Sequence, residues 1–123
     1  MPRKKRLLIV DDDQEITNMF STYFNKRDFV TEVVDNGENA LASTLLFKPD
    51  LIILDIMMPK INGFDVLDIL KNTAKTSYIP IIVITALGSK EDIEKAKKLG
   101  ADAYLEKSTV SLDTILAKIN ELI

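Results

Sequence analysis

Four short apolar runs in this chain end on residues that could do chemistry. Leu7-Leu8-Ile9-Val10 is followed by Asp11-Asp12-Asp13, Leu51-Ile52-Ile53-Leu54 by Asp55, Ile81-Ile82-Val83-Ile84 by Thr85, and Ala103-Tyr104-Leu105 by Glu106-Lys107. Gathered in one place, the carboxylates would repel by several kcal/mol per close pair at an effective dielectric of about 20, unless a cation sat among them. The chain holds no Cys and no His, so thiolate nucleophiles, Ser-His-Asp triads and the usual zinc sites are excluded, and so are disulfides. An all-oxygen ligand set with open positions suits Mg²⁺, which keeps part of its water shell and shares it readily with phosphate. A cation, the Lys107 ammonium and the Thr85 hydroxyl together are what a transferring phosphoryl group needs. Asp55 would then be the nucleophile that forms an aspartyl phosphate. Taken alone, an Asp after a strand is as well explained as a helix cap, and for Asp12 or Asp13 both readings stand.

The elements that must position these residues alternate from end to end. Strands are expected at Leu7–Asp11, Val30–Val34, Leu51–Asp55, Ile81–Thr85 and Ala103–Leu105. The third and fourth are continuously apolar, as central strands covered on both faces should be. Ile16, Met19, Phe20, Tyr23 and Phe24 recur at helical spacing as the core stripe of a first helix. Further helices are expected near 38–47, 63–72, 89–99 and 111–122, the fourth opened by Ser89 and closed by Lys97, Lys98 and Gly100. Strict alternation implies a doubly wound α/β domain: parallel strands, right-handed crossovers and helices on both faces. Such sheets bind ligands outside the carboxyl ends of their strands, where all the residues singled out above lie.

With 123 residues, nearly half of them apolar, the chain is expected to form a single domain over 1–123. Its net charge is -3, with both signs spread along the sequence. No apolar run approaches the roughly 20 residues of a membrane helix, so membrane insertion is not expected and a cytoplasmic location is. The basic flank over residues 1–6 is read as solvated, with contact to phosphate or an anionic surface as the alternative.

In combination, several stretches resemble the response regulator receiver domain, of the kind typified by the chemotaxis regulator, over essentially the whole chain. They are Leu8-Ile9-Val10-Asp11-Asp12-Asp13, Leu54-Asp55-Ile56-Met57-Met58-Pro59 with Asn62-Gly63, Ile84-Thr85-Ala86, Gly100-Ala101-Asp102-Ala103-Tyr104 and Leu105-Glu106-Lys107. The resemblance implies a five-stranded flavodoxin-like (βα)5 sheet of strand order 2-1-3-4-5. It also implies Mg²⁺ held directly by Asp12, Asp55 and the Met57 backbone carbonyl, and by Asp11 through water. Asp55 is implied as phosphoacceptor, Thr85 and Lys107 as the residues that grip the phosphoryl oxygens, and Thr85 with Tyr104 as the switch. The output surface would be the fourth helix, fifth strand and fifth helix. Met57 and Leu87 would flank the path of attacking water and, being bulky and apolar, would slow loss of the phosphoryl group.

The implied partners are a sensor histidine kinase or histidine phosphotransfer protein and a downstream protein. No direct nucleic acid binding is expected, because the Lys-Pro-Phe stretch of receivers coupled to winged-helix domains is missing. Such a protein is not an enzyme in the ordinary sense, since it catalyses only its own phosphorylation and slow dephosphorylation. One departure stands out: Ser108 follows Lys107 where the family has Pro, so a looser loop around Lys107 is expected.

Three other readings are weighed. An aspartate-nucleophile phosphatase would use Asp11 and Asp13 as its Asp-x-Asp, but Glu15 stands where a small residue is needed, and Met57 cannot serve Asp55 as a general acid or base. A phosphorylation-independent interaction module would have lost a key residue, and none is lost. An FMN carrier of the same architecture would need a Ser/Thr/Gly-rich loop where Asp11-Asp12-Asp13 stand.

Overall fold

The computed structural model describes residues 3–123 apart from Pro59, Ile61 and Leu87. In chain order the elements are β1 (Lys5–Val10), α1 (Gln14–Asn25), β2 (Phe29–Val34), α2 (Ala40–Phe47), β3 (Leu51–Asp55), α3 (Gly63–Asn72), β4 (Ile81–Thr85), α4 (Lys90–Lys98), β5 (Ala103–Glu106) and α5 (Leu112–Leu122), with a 3-10 turn at Gly37–Asn39 before α2. All strand pairings are parallel, as the alternation requires, and the order is β2-β1-β3-β4-β5. The five carboxyl ends therefore share one edge of the sheet, and the five amino ends share the other.

Every residue of β3 and β4 is buried. One face of the sheet packs Leu8, Val10, Ile52, Leu54, Ile81 and Val83 against Leu67 and Leu70 of α3 and Ala96 of α4. The other packs Leu7, Ile9, Ile53 and Ile84 against Phe20 and Phe24 of α1 and Ile115 and Ile119 of α5. Each such Leu, Ile or Phe contributes about 1.5–3 kcal/mol by leaving water, which fixes the register of the interior strands more firmly than any turn could. Of the expected α1 stripe, Phe20 and Phe24 are buried, but Met19 is 49 % exposed.

Helix ends follow from single side chains. Asp13, Asn62, Ser89 and Ser111 each accept backbone N–H groups of the first turn of α1, α3, α4 and α5. α4 ends with Gly100 at φ 102°, its N–H bonded to the Lys97 carbonyl and that of Ala101 to the Ala96 carbonyl, a paired closure that requires a left-handed residue.

β1 begins at Lys5 rather than Leu7 and ends at Val10 rather than Asp11. Its pairing with β2 extends to Lys5 opposite Phe29 and Arg6 opposite Val30, where charged side chains can reach solvent while the backbone stays in the ladder. The basic flank is accordingly built in part into the fold. Arg3 forms a two-pronged ion pair with Asp50 at 2.8 and 2.9 Å, and Arg6 donates to the Phe47 carbonyl at 2.8 Å. Arg6 is thereby half-buried, while the Arg3 side chain stays 60 % exposed.

Candidate functional site

The β1-α1 turn separates the three adjacent acids. Asp13 turns outward and caps α1, its Oδ1 accepting the N–H groups of Glu15 at 3.0 Å and Ile16 at 3.3 Å. Asp11 turns inward and is 3 % exposed; its Oδ1 accepts the Asp13 N–H at 3.0 Å. Asp12 stays exposed beside it. The cap reading therefore applies to Asp13 and leaves Asp12 for the site.

Asp55 lies at the end of β3, 4 % exposed, with its Oδ1 accepting the Met57 N–H at 2.9 Å. The turn that follows is closed by Asn62 and Gly63. Asn62 caps α3 through Phe64 N–H at 2.9 Å and forms a β-bridge with Met57, while the Gly63 N–H bonds the Ile56 carbonyl at 3.2 Å. A Cβ at Gly63 would fall 2.2 Å from Ile56 Cα, so only glycine permits this approach. The sequence motif contained Asn62 and Gly63 but gave them no role; their role is to hold the Met57 backbone beside Asp55.

Lys107 reaches the site despite Ser108. Its Nζ lies 2.9 Å from Asp11 Oδ2 and 3.2 Å from Asp55 Oδ2. The Lys107 N–H bonds the Thr85 carbonyl at 2.8 Å and the Val110 N–H bonds the Glu106 carbonyl at 3.0 Å. Backbone bonds to β4 and across the following turn thus aim the side chain in place of a proline.

Electrostatically the site is short of positive charge. Burial pushes the Asp55 carboxyl up to about 6; the Met57 N–H and Lys107 pull against this, and the neighbouring Asp11 adds to it. Burial also acts to lower Lys107, but its bonds to Asp11 and Asp55 outweigh that and hold the ammonium above its ordinary range. One ammonium cannot neutralise two buried acids. Asp11, Asp12 and Asp55 each bring a carboxylate oxygen within 4.8 Å of the others, and with Lys107 they would reach neutrality on taking up one divalent cation. Oxygen-only donors, one of them solvent-facing, fit Mg²⁺.

Thr85 ends β4 fully buried, and Tyr104 is half-buried in β5. Tyr104 is paired with Val83, and Thr85 follows two residues later, so both project from the α3-α4 face of the sheet. The Tyr104 phenol is raised by burial and by the nearby charges of Asp92 and Glu106. Met57, one of the two residues expected on the water path, is 48 % exposed; Leu87, the other, lies outside the described residues.

Over residues 7–120 the chain matches the response regulator receiver domain family. It belongs to that family. The receiver is 34 % identical over 118 residues to the DNA-binding dual master transcriptional regulator RpaA of Synechocystis sp., covering 96 % of this chain and 48 % of that protein. It is 42 % identical over 102 residues to the transcriptional regulatory protein CpxR of Escherichia coli, covering 83 % and 42 % respectively. The chain thus spans about half the length of the curated relatives it matches. Among solved structures it is similar to the chemotaxis protein CheY4 of Vibrio cholerae, with TM-score 0.90, 27 % identity and coverage of 98 % and 99 %. It is also similar to the BeF3-activated N-terminal receiver domain of RstA from Klebsiella pneumoniae, with TM-score 0.87, 28 % identity and coverage of 95 % and 97 %. The flavodoxin-like fold and strand order expected from the sequence are those of the family. No helix among the described residues is long and apolar enough to cross a membrane.

Proposed function

We propose that this receiver works as a Mg²⁺-dependent switch in a two-component relay, accepting a phosphoryl group on Asp55 from a histidine kinase or a histidine phosphotransfer protein. The observation that carries this reading is the buried Asp55 carboxylate, set beside Asp11, Asp12 and a single aimed ammonium. An Asp55 oxygen forms the bond to phosphorus while the bond to the donor's imidazole nitrogen breaks and its electron pair returns to the ring. Asp12, Asp55 and the Met57 carbonyl would hold Mg²⁺ directly and Asp11 would hold it through water. The cation would supply charge neutralisation for the phosphoryl oxygens. Lys107 balances the charge on one side of the phosphoryl group, and the Thr85 hydroxyl donates on another.

Thr85 and Tyr104 share a sheet face, which supports movement of one being felt by the other, with α4, β5 and α5 as the surface read by a downstream protein. The similar RstA receiver is activated by BeF3, which supports the same state here. The receiver consumes only its own phosphoryl group rather than turning over a substrate. It acts in the cytoplasm and makes no direct contact with nucleic acid or membrane interior through these residues.

Intact mass after exposure to acetyl phosphate and Mg²⁺ tests the assignment: one phosphoryl adduct is expected on the parent and none on Asp55→Asn. A folded Asp55→Asn protein labelled to the parental level would refute it. The exposed apolar Met57 side chain shields the acyl phosphate from water, so Met57→Asn is expected to speed its decay severalfold in excess Mg²⁺. An unchanged decay rate would remove Met57 from this role.

A further inference from the structure

Charge that is mixed along the sequence is sorted in the fold. At the carboxyl edge of the sheet, counting strand ends, the loops after them and first helical turns, twelve side chains are acidic and three basic, namely Lys60, Lys90 and Lys107. At the amino edge eleven are basic and four acidic, namely Asp28, Asp50, Asp102 and Glu121; Glu32, Asp68, Glu94, Lys95 and Lys118 lie midway. Complementing helix dipoles explains lysines in last turns, such as Lys71, Lys97 and Lys98. It does not explain Lys75, which lies in the loop between α3 and β4; Lys48, at the C-terminus of α2, holds a left-handed conformation at φ 55° that a glycine would adopt at less cost. Neither lysine forms an ion pair with a carboxylate among the described residues.

These two lysines flank a cleft of about 550 Å³ between the end of α2 and the α3-β4 loop, lined also by Thr44, Leu45, Tyr78 and Ile79. Around it the apolar surface is unusually bare: Tyr78 is 75 % exposed, Leu45 40 % and the adjacent Leu46 84 %. An apolar hollow between two uncompensated cations, on the basic edge of a protein whose net charge is -3, is complementary to an apolar side chain flanked by carboxylates. We propose that this cleft docks an acidic segment of a partner protein, with an aliphatic or aromatic side chain entering between Leu45 and Ile79 and carboxylates resting on Lys48 and Lys75. The cleft is concave, which favours an inserted side chain over a flat anionic bilayer. It lies at the opposite edge from Asp55, so docking leaves the phosphoacceptor open.

The probe is a synthetic hexapeptide with a Leu-Phe centre and two Glu on each side, titrated into the full chain while amide resonances are followed. Saturable shifts centred on Leu45, Tyr78 and Ile79 are expected, weakening at least about fivefold between about 0.05 M and about 0.3 M salt. A similar loss is expected for the Lys48→Glu, Lys75→Glu double variant and, separately, for Tyr78→Ser, which keeps every charge. No shift at these amides up to about 1 mM peptide, or equal binding by the double variant, would overturn the proposal. So would sedimentation with phosphatidylserine vesicles without a peptide response, or shifts at these amides on concentrating the protein alone, which would assign the face to lipid or to a second copy of the chain.

Discussion

Lys71 and Lys107 are both tethered ammonium groups, one at each edge of the sheet, and their partners differ in kind. Lys71 Nζ lies 2.8 Å from the Ile79 carbonyl, 3.4 Å from that of Ser77 and 3.1 Å from Asp102 Oδ2, and this same Asp102 oxygen also accepts the Ile81 N–H at 2.8 Å. One cation meets one anion, and neutral dipoles fill the remaining positions. Lys107 instead faces two buried carboxylates with a third at their side, and burial, with the neighbouring Asp11 adding to it, raises the Asp55 carboxyl. A satisfied cluster is a fastener; an unsatisfied one of the same residue types is a receptor for a missing charge.

The largest effect expected from that difference falls on chemistry at Lys107. Lys107→Met should slow phosphoryl uptake from acetyl phosphate by roughly two orders of magnitude, as loss of a charge-stabilising donor does elsewhere. A parental rate would place Lys107 with Lys71 as a structural tie. Lys71→Met should do the converse, lowering unfolding free energy by about 2 kcal/mol in denaturant, equally with Mg²⁺ or chelator, because it leaves Asp102 and two carbonyls short of a donor. Stability loss confined to chelator would erase the contrast.

A smaller effect, opposite in sign, is expected from Asp55. Its folded pKa of about 6 lies above the roughly 3.9 of an unfolded Asp, so the folded state binds more protons between those values. The stability this provides is complete below about pH 4 and is lost as pH rises through about 6. In chelator, Asp55→Asn should therefore raise stability by about 1–2 kcal/mol at pH 7.5, the gain shrinking toward pH 4. Asp12→Ala, at an exposed position outside the buried pair, should change stability by less than about 0.5 kcal/mol while abolishing Mg²⁺ binding. Equal stabilisation by both variants in thermal melts would spread the crowding over all three acids.

The sequence made the strands and the site residues legible because apolar runs ending in polar residues are a local pattern, and parallel topology brings their ends to one edge. Asp12 and Asp13 could not be told apart from spacing, since both stand where a helix cap could form; the choice depends on which carboxylate meets the Glu15 and Ile16 N–H groups. The Lys107 loop was read as loose because proline was missing, yet its aim comes from the Thr85 carbonyl, 22 positions away in sequence. Lys71 with Asp102 and Arg3 with Asp50 left no local trace at all, because long-range ion pairs have no periodicity. Met19 follows the helical period yet is 49 % exposed, because periodicity marks the face of a helix and not how far its neighbours cover it.

Strand order also fixes the sequence of events during synthesis. β1 pairs with both β2 and β3, so by the time residue 55 has left the ribosome every strand needed to place Asp11 beside Asp55 has been made. Lys107 follows β5, which pairs only with β4 at the far end of the sheet. A nascent chain thus completes its acidic pair long before the lysine that answers it. During that interval protons or solution cations are what can offset the repulsion.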